Sequence, residues 1–170
     1  AMSPEDARKW ADGSKITDTV VHVTGKRQVD GIAAMGFNTD PAGDSWTLFG
    51  DGAYFGTDAP TAEYYNWKGD EMISCKVRVE NPLEVTFRQD EDYSRLGLTE
   101  SFPDVHRARS FLLDAAGYVR ADPGVGDAIN LPDGRGMTEL LKAKGFDAVI
   151  IHDEGRVSDP PGGSQLLVFA

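Results

Sequence analysis

Apolar residues along this chain follow two rhythms, and the switches between them mark its elements. Near the start, "PEDARKWADGS" has Ser3 placed to cap a helix, Pro4 in its first turn and Gly13 placed to stop it. "TDTVVHVTG" is rich in β-branched residues and ends at Gly25, which predicts a strand. Val29, Ile32, Ala33 and Met35 then recur at the spacing of a short helix, with Gly36 as the stop. "SWTLFGDGAYFGTD" predicts two short strands broken at Gly50-Asp51-Gly52, and "APTAEYYNW" predicts a helix capped by Asp58. "EMISCKVRV" predicts a longer strand, and "NPLEVTF" turns at Asn81-Pro82 before extending again.

From 88 to 131 the pattern is loop and helix. "PDVHRARSFLLDAAGY" places Val105, Ala108, Phe111, Leu112 and Ala115 on one helical face. "DGRGMTELLKAKG" predicts another helix, stopped by Gly145 and leading into the buried strand "FDAVIIH". A loop, "DEGRVSDPPGG", separates it from a last strand, where an apolar run extends from Leu166 to Ala170. Strands at both ends, helices between them and no regular βαβ alternation predict an α+β fold. The expected organisation is one domain over 1–170, with 88–131 as a helical insertion.

Composition narrows the function. A length of 170 residues suits one core. The 40% hydrophobic and 26% charged content is that of an ordinary soluble domain, and no apolar run is long enough to span a membrane. The N-terminal "AMSPEDARKW" lacks the basic and apolar regions of a signal peptide, and its "AM" reads as a cloning remnant. A formal net charge of −11 disfavours a nucleic-acid backbone or an anionic membrane as partner. A small anion held by a local arginine or backbone N–H groups stays admissible. The single cysteine, Cys75, excludes an internal disulfide and a Cys-rich zinc site, and its strand-like setting reads as core. No metal is expected. "GDG" is not a phosphate loop, since no Lys-Ser/Thr follows it.

Three segments carry candidate chemistry. "VVHVTG" puts the His22 imidazole and the Thr24 hydroxyl on one face of a strand. A lone strand histidine is more often structural, although an imidazole can also donate to a ribose hydroxyl. Around Tyr54, flanking glycines admit a close approach to the backbone, and Tyr64 or Tyr65 on the next helix could face it. Two facing tyrosines make a slot for a flat heteroaromatic; the plainer alternative is that these aromatics pack the core. Gln165 stands at the mouth of the last strand, a neutral amide at a point of potential chemistry.

In that order, "VVHVTG", "GDGAYFGTDAPTAEYY", "CKVRVENPLEV" and "GFDAVIIHDEG…GGSQLLVF" resemble the ADP-ribosyltransferase fold. The likeness is to its diphtheria-toxin and PARP-like branch, which uses a His–Tyr–Glu triad. It is nearest to small domains of bacterial toxins, effectors and phage polyvalent proteins. It covers roughly 18–87 and 137–170. The resemblance implies two small packed sheets with NAD, the substrate, in a cleft between them. It implies that His22 contacts the adenosine ribose, that Tyr54 stacks on nicotinamide and that Tyr65 forms the second aromatic wall. Thr24 would stand beside the nicotinamide pocket. Val23 replaces the family's usual glycine, so its backbone can grip the carboxamide while its side chain crowds the pocket.

The family's catalytic glutamate falls, counting back from Phe169, on Gln165. That glutamate stabilises the cationic sugar as nicotinamide departs, in a transition state like that of glycoside cleavage. An amide keeps the hydrogen bond and loses the charge. Three readings stay open: a deliberate knockout of glutamate, a native third member of a working triad, or a domain that binds without catalysis. The loop bearing Asp153, Glu154, Arg156 and Asp159 would meet the macromolecular target. His152 and His106 read as structural and exposed, respectively. The expected activity is mono-ADP-ribosyl transfer, in a monomer, to an acceptor that the acidic surface makes more naturally a basic protein than a nucleic acid. The site of action would be cytoplasmic, reached by secretion or injection where the domain serves a toxin, which its "LLVFA" close would suit. An immunity protein would be the natural partner of such a toxin.

Overall fold

The computed structural model describes residues 2–37, 49–65, 69, 71–86, 89–98, 104–118, 131–152 and 163–169. Its elements are α1 (Pro4–Trp10), β1 (Val20–Thr24), α2 (Lys26–Met35), β2 (Ala53–Gly56), α3 (Ala59–Tyr65) and β3 (Glu71–Cys75). They continue with β4 (Pro82–Thr86), α4 (Gln89–Arg95), α5 (Asp104–Ala115), α6 (Gly134–Ala143), β5 (Ala148–His152) and β6 (Ser164–Val168). The fold is α+β.

Local chemistry accounts for most boundaries. The Ser3 hydroxyl accepts from the Asp6 N–H at 3.2 Å and opens α1 with Pro4 in its first turn. The Asp133 carboxylate accepts from the Gly136 N–H at 2.8 Å and opens α6. The Asp58 carboxylate accepts from the Thr61 N–H at 2.8 Å, ahead of α3. Gly36 and Gly145, both at positive φ, follow α2 and α6 where side-chain-bearing residues would be strained. The strand expected over "EMISCKVRV" ends at Cys75. Val77 and Val79 beyond it are still buried, and the Val79 N–H donates to the Ser14 hydroxyl at 3.0 Å instead of to a strand. Of the two strands expected in "SWTLFGDGAYFGTD", only the second lies wholly within the described residues.

The resemblance implied two packed sheets; the strands form one six-stranded sheet, in the order β3-β1-β2-β6-β5-β4. The reason is the β2–β6 ladder, which pairs Ala53 with Val168, Tyr54 with Leu167, Phe55 with Leu166 and Gly56 with Gln165. It joins the β3-β1-β2 half to the β6-β5-β4 half edge to edge, so no cleft opens between two sheets among the described residues. Neighbouring pairs are antiparallel except β4–β5, which is parallel. A parallel pair needs a crossover, and α4, α5 and α6 supply it.

Each face of the sheet has its own core. On one face, Leu83, Val85, Val149, Ile151 and Leu167 pack with Phe111, Leu112, Met137 and Leu141 from α5 and α6. On the other, Val20, Ala53, Phe55, Ala148 and Leu166 pack with Val77 and Val79 and with half-buried Ile16 and Phe37. This is why β5 and β6 read as unbroken apolar runs rather than alternating ones. Within the expected insertion, α5 is therefore a core helix.

Two distant segments are bolted together at the starts of β4 and β5. The Asp147 carboxylate accepts from the N–H groups of Glu80 (2.7 Å) and Asn81 (3.0 Å), and the Asn81 amide donates to the Gly145 carbonyl at 2.6 Å. At the other end of the sheet, α3 presses on Gly56. A Cβ there would meet Ala62 N at 2.5 Å and Asp58 O at 2.9 Å, both backbone atoms. Gly56→Ala is expected to destabilise the fold by about 1–3 kcal/mol, as overpacking does, read as a lowered midpoint in urea unfolding with the slope unchanged.

Candidate functional site

The candidate residues of β1, β2 and β6 lie on three adjacent strands in the middle of the sheet. β1 meets β2 at Val21↔Gly56, and β2 meets β6 at Gly56↔Gln165. Directly paired residues share a face and successive residues alternate. Val21, Gly56 and Gln165 therefore form one row on the face that carries α3, and Ile151 extends that row on β5. Val23, Tyr54 and Leu167 point the same way. His22 and Thr24 point to the opposite face, with Phe55 and Leu166.

His22 is fixed by its own surroundings. Its Nδ1 lies 2.6 Å from the Tyr54 carbonyl oxygen, which can only accept, so Nδ1 carries the proton and Nε2 is the acceptor nitrogen. Phe37 and Phe55 meet the imidazole edge-on at centroid distances of 5.1 and 5.8 Å. The ring thus clamps β1 to β2 within an aromatic cluster. Thr24 is buried on the same face. Val23 is buried on the other, and Gly69 packs over it.

Tyr54 takes the core alternative. Its hydroxyl donates to the Gly50 carbonyl at 2.6 Å and accepts from the Phe49 N–H at 3.3 Å. Burial pushes its phenol well above the usual tyrosine range, so it stays protonated. Its ring packs against the core of α5 and α6. The side chains of His22 and Tyr54 are therefore not brought together, although their strands are. Tyr65 ends α3; its side chain lies outside the described set, as do Asp153, Glu154, Arg156 and Asp159.

Gln165 is the unusual group. It is only 7% exposed, and its Oε1 has no hydrogen-bond partner among the described residues. The buried Thr61 hydroxyl, on α3, is likewise unpartnered there. Thr61 belongs to the turn that crosses the start of β6, since a Cβ on Gly163 would collide with its Oγ1. Leaving a buried polar atom unsatisfied costs about 1–3 kcal/mol, so such atoms call for an explanation.

One polar array was not foreseen. His152 Nδ1 lies 2.6 Å from Ser164 Oγ, and His152 Nε2 lies 2.6 Å from Glu84 Oε1. From the sequence, His152 reads as a structural residue at a strand end. Its two partners come from strands 68 and 12 residues away, which only the register reveals. Among the described residues, no three metal-ligating side chains gather, and no helix is long and apolar enough to cross a membrane. A cavity of about 610 Å³ lies elsewhere, between α1 and β3, lined by Met2, Trp10, Thr19 and Cys75 among others. It contains none of the candidate groups. Comparison with family models, curated proteins and solved structures gave no match to this chain.

Two expectations follow from these environments. Tyr54→Phe removes a buried hydroxyl that bonds twice to the backbone, and should cost about 1–2 kcal/mol in equilibrium unfolding. Burial pushes the Cys75 thiol up to about 11. Only thiolate reacts, so alkylation of the folded chain at pH 8 should be much slower than that of the unfolded chain, accelerating as the pH approaches 11.

Proposed function

We propose that this chain is an NAD-dependent mono-ADP-ribosyltransferase domain of toxin or effector type, with Gln165 at the position of the catalytic glutamate. The observation that carries the reading is the Gln165 side chain, buried at the mouth of the central strand with an amide oxygen that no described protein group occupies. It stands in one row with Val21 and Gly56, so the strands that bear His22, Tyr54 and Gln165 adjoin at this point. An acceptor oxygen there suits a ribose hydroxyl. The "NPL" and "G-F-D" motifs also meet, through Asn81 and Asp147.

In this reading Gln165 binds the nicotinamide ribose through a hydroxyl. The glycosidic C–N bond breaks, nicotinamide leaves with the bonding pair, and a nucleophile of the acceptor, a protein side chain, bonds to the sugar carbon. His22 acts chiefly by positioning, since its Nδ1–H is committed to the Tyr54 carbonyl and its ring holds β1 against β2. With Tyr54 engaged in the core, the aromatic wall that this reading leaves for nicotinamide is the second one, Tyr65 on α3.

A second reading, a non-catalytic NAD-binding module, draws on two observations. Gln165 brings no charge to the developing cation, and Tyr54 is engaged in the core rather than offered as a stacking wall.

Nicotinamide release by this chain beside a Gln165→Glu variant tests both. Restoring the carboxylate should accelerate release by roughly 100-fold or more. Thermal stabilisation by NAD with no release from either form supports the binding module. Neither release nor stabilisation overturns both.

A further inference from the structure

On the sheet face opposite Gln165, a row of polar residues crosses β4, β5 and β6 and reaches Thr57. Thr86 pairs with His152, His152 pairs with Ser164, and Thr57 lies beside Ser164, just past the end of β2. Glu84 sits two residues back on β4 and reaches diagonally to His152. The protons in this row can be assigned from chemistry. The Glu84 carboxylate only accepts, so His152 Nε2 carries the hydrogen of the 2.6 Å contact. Nδ1 is then the basic nitrogen, and the Ser164 hydroxyl must donate to it at 2.6 Å. This is the arrangement that activates a serine: a base within hydrogen-bond reach of the hydroxyl, and a third group orienting the base.

We propose that Ser164 is a nucleophile activated by His152, with Glu84 as the positioning residue, and that the site reacts with small uncharged acyl esters. Three features mark it as a reaction site and not a core network. It is open to solvent, with the His152 and Glu84 side chains 35% and 61% exposed. Thr57 Oγ1 accepts the Ser164 N–H at 2.8 Å, which leaves its own proton available for a developing oxyanion. Half-buried Ile150 lies one row away on the same face, giving an acyl chain an apolar surface. The Glu84 carboxylate and the net charge of −11 disfavour an anionic substrate.

In the step itself, Ser164 Oγ bonds to the acyl carbon while its proton passes to His152 Nδ1. The ester C–O bond breaks, and the departing alkoxide takes that proton. Water, deprotonated by the same nitrogen, then cleaves the acyl-serine, releasing the acid and restoring the hydroxyl. Nothing in this chemistry involves NAD or Gln165, which faces the other way.

The test is labelling of the full chain with a fluorophosphonate probe, with the modified peptide mapped by mass spectrometry. Hydrolysis of a p-nitrophenyl acetate reporter is followed in parallel. The expected result is a label on Ser164 that is lost in Ser164→Ala and slowed by at least about 100-fold in His152→Gln. Glu84→Gln should lower kcat for the ester with KM unchanged, which a merely structural role would not produce. Absence of label on Ser164 in the folded wild-type chain overturns the proposal without recourse to any variant. A label on Ser164 indifferent to His152→Gln overturns it equally.

Discussion

The β2–β6 ladder is the contact on which everything else depends. It is short, four residue pairs from Ala53↔Val168 to Gly56↔Gln165, yet it turns two half-sheets into one. Both cores are laid down by it, since each is built from residues on either side of the seam. It also fixes which side chain faces where. With Gly56 opposite Gln165, the amide is set beneath α3, and the lack of a side chain at Gly56 lets α3 come that close. A slip of one residue would exchange the two faces of β6 and put Gln165 among the aromatics around His22.

Much of the local structure was legible because its causes are local. Ser3 with Pro4, Asp58, Gly36 and Gly145 announced helix ends through capping and backbone freedom, and the apolar runs of β5 and β6 announced strands covered on both faces. Sheet order was not legible. Alternation relates His22 to Thr24 within β1, but whether His22 shares a face with Tyr54 is decided by a register between strands about thirty residues apart. That register puts the imidazole beside the Tyr54 carbonyl and the phenol in the opposite core. The same ignorance of register hid the Glu84–His152–Ser164 array, whose members look unrelated in the sequence. The run "EMISCKVRV" overpredicted its strand because Val77 and Val79 remain buried after pairing with β1 has ceased. Hydrophobic pattern reports burial, and burial continues there without a ladder.

The two proposed sites lie back to back. One side of the central strands carries a buried amide beneath a short helix, shielded and neutral. The other carries the hydrogen-bonded Glu84–His152–Ser164 array. Adjacent residues of β6, Ser164 and Gln165, point to the two sides, so a single backbone step separates a half-buried hydroxyl from a buried amide oxygen. Rigidity of that step comes from paired strands on both flanks, β2 and β5, which is what a precisely placed group requires.

The central place of β6 has a consequence for how the sheet is assembled. It follows every other described strand in the sequence, yet it fills the gap between β2 and β5. Until β6 is inserted, the chain carries two incomplete half-sheets, each ending in an open edge, at β2 and at β5. Such edges invite pairing with other chains. Folding of the sheet is therefore completed only by insertion of β6, and the interval before that insertion is when chaperones or proteases would have hold of it.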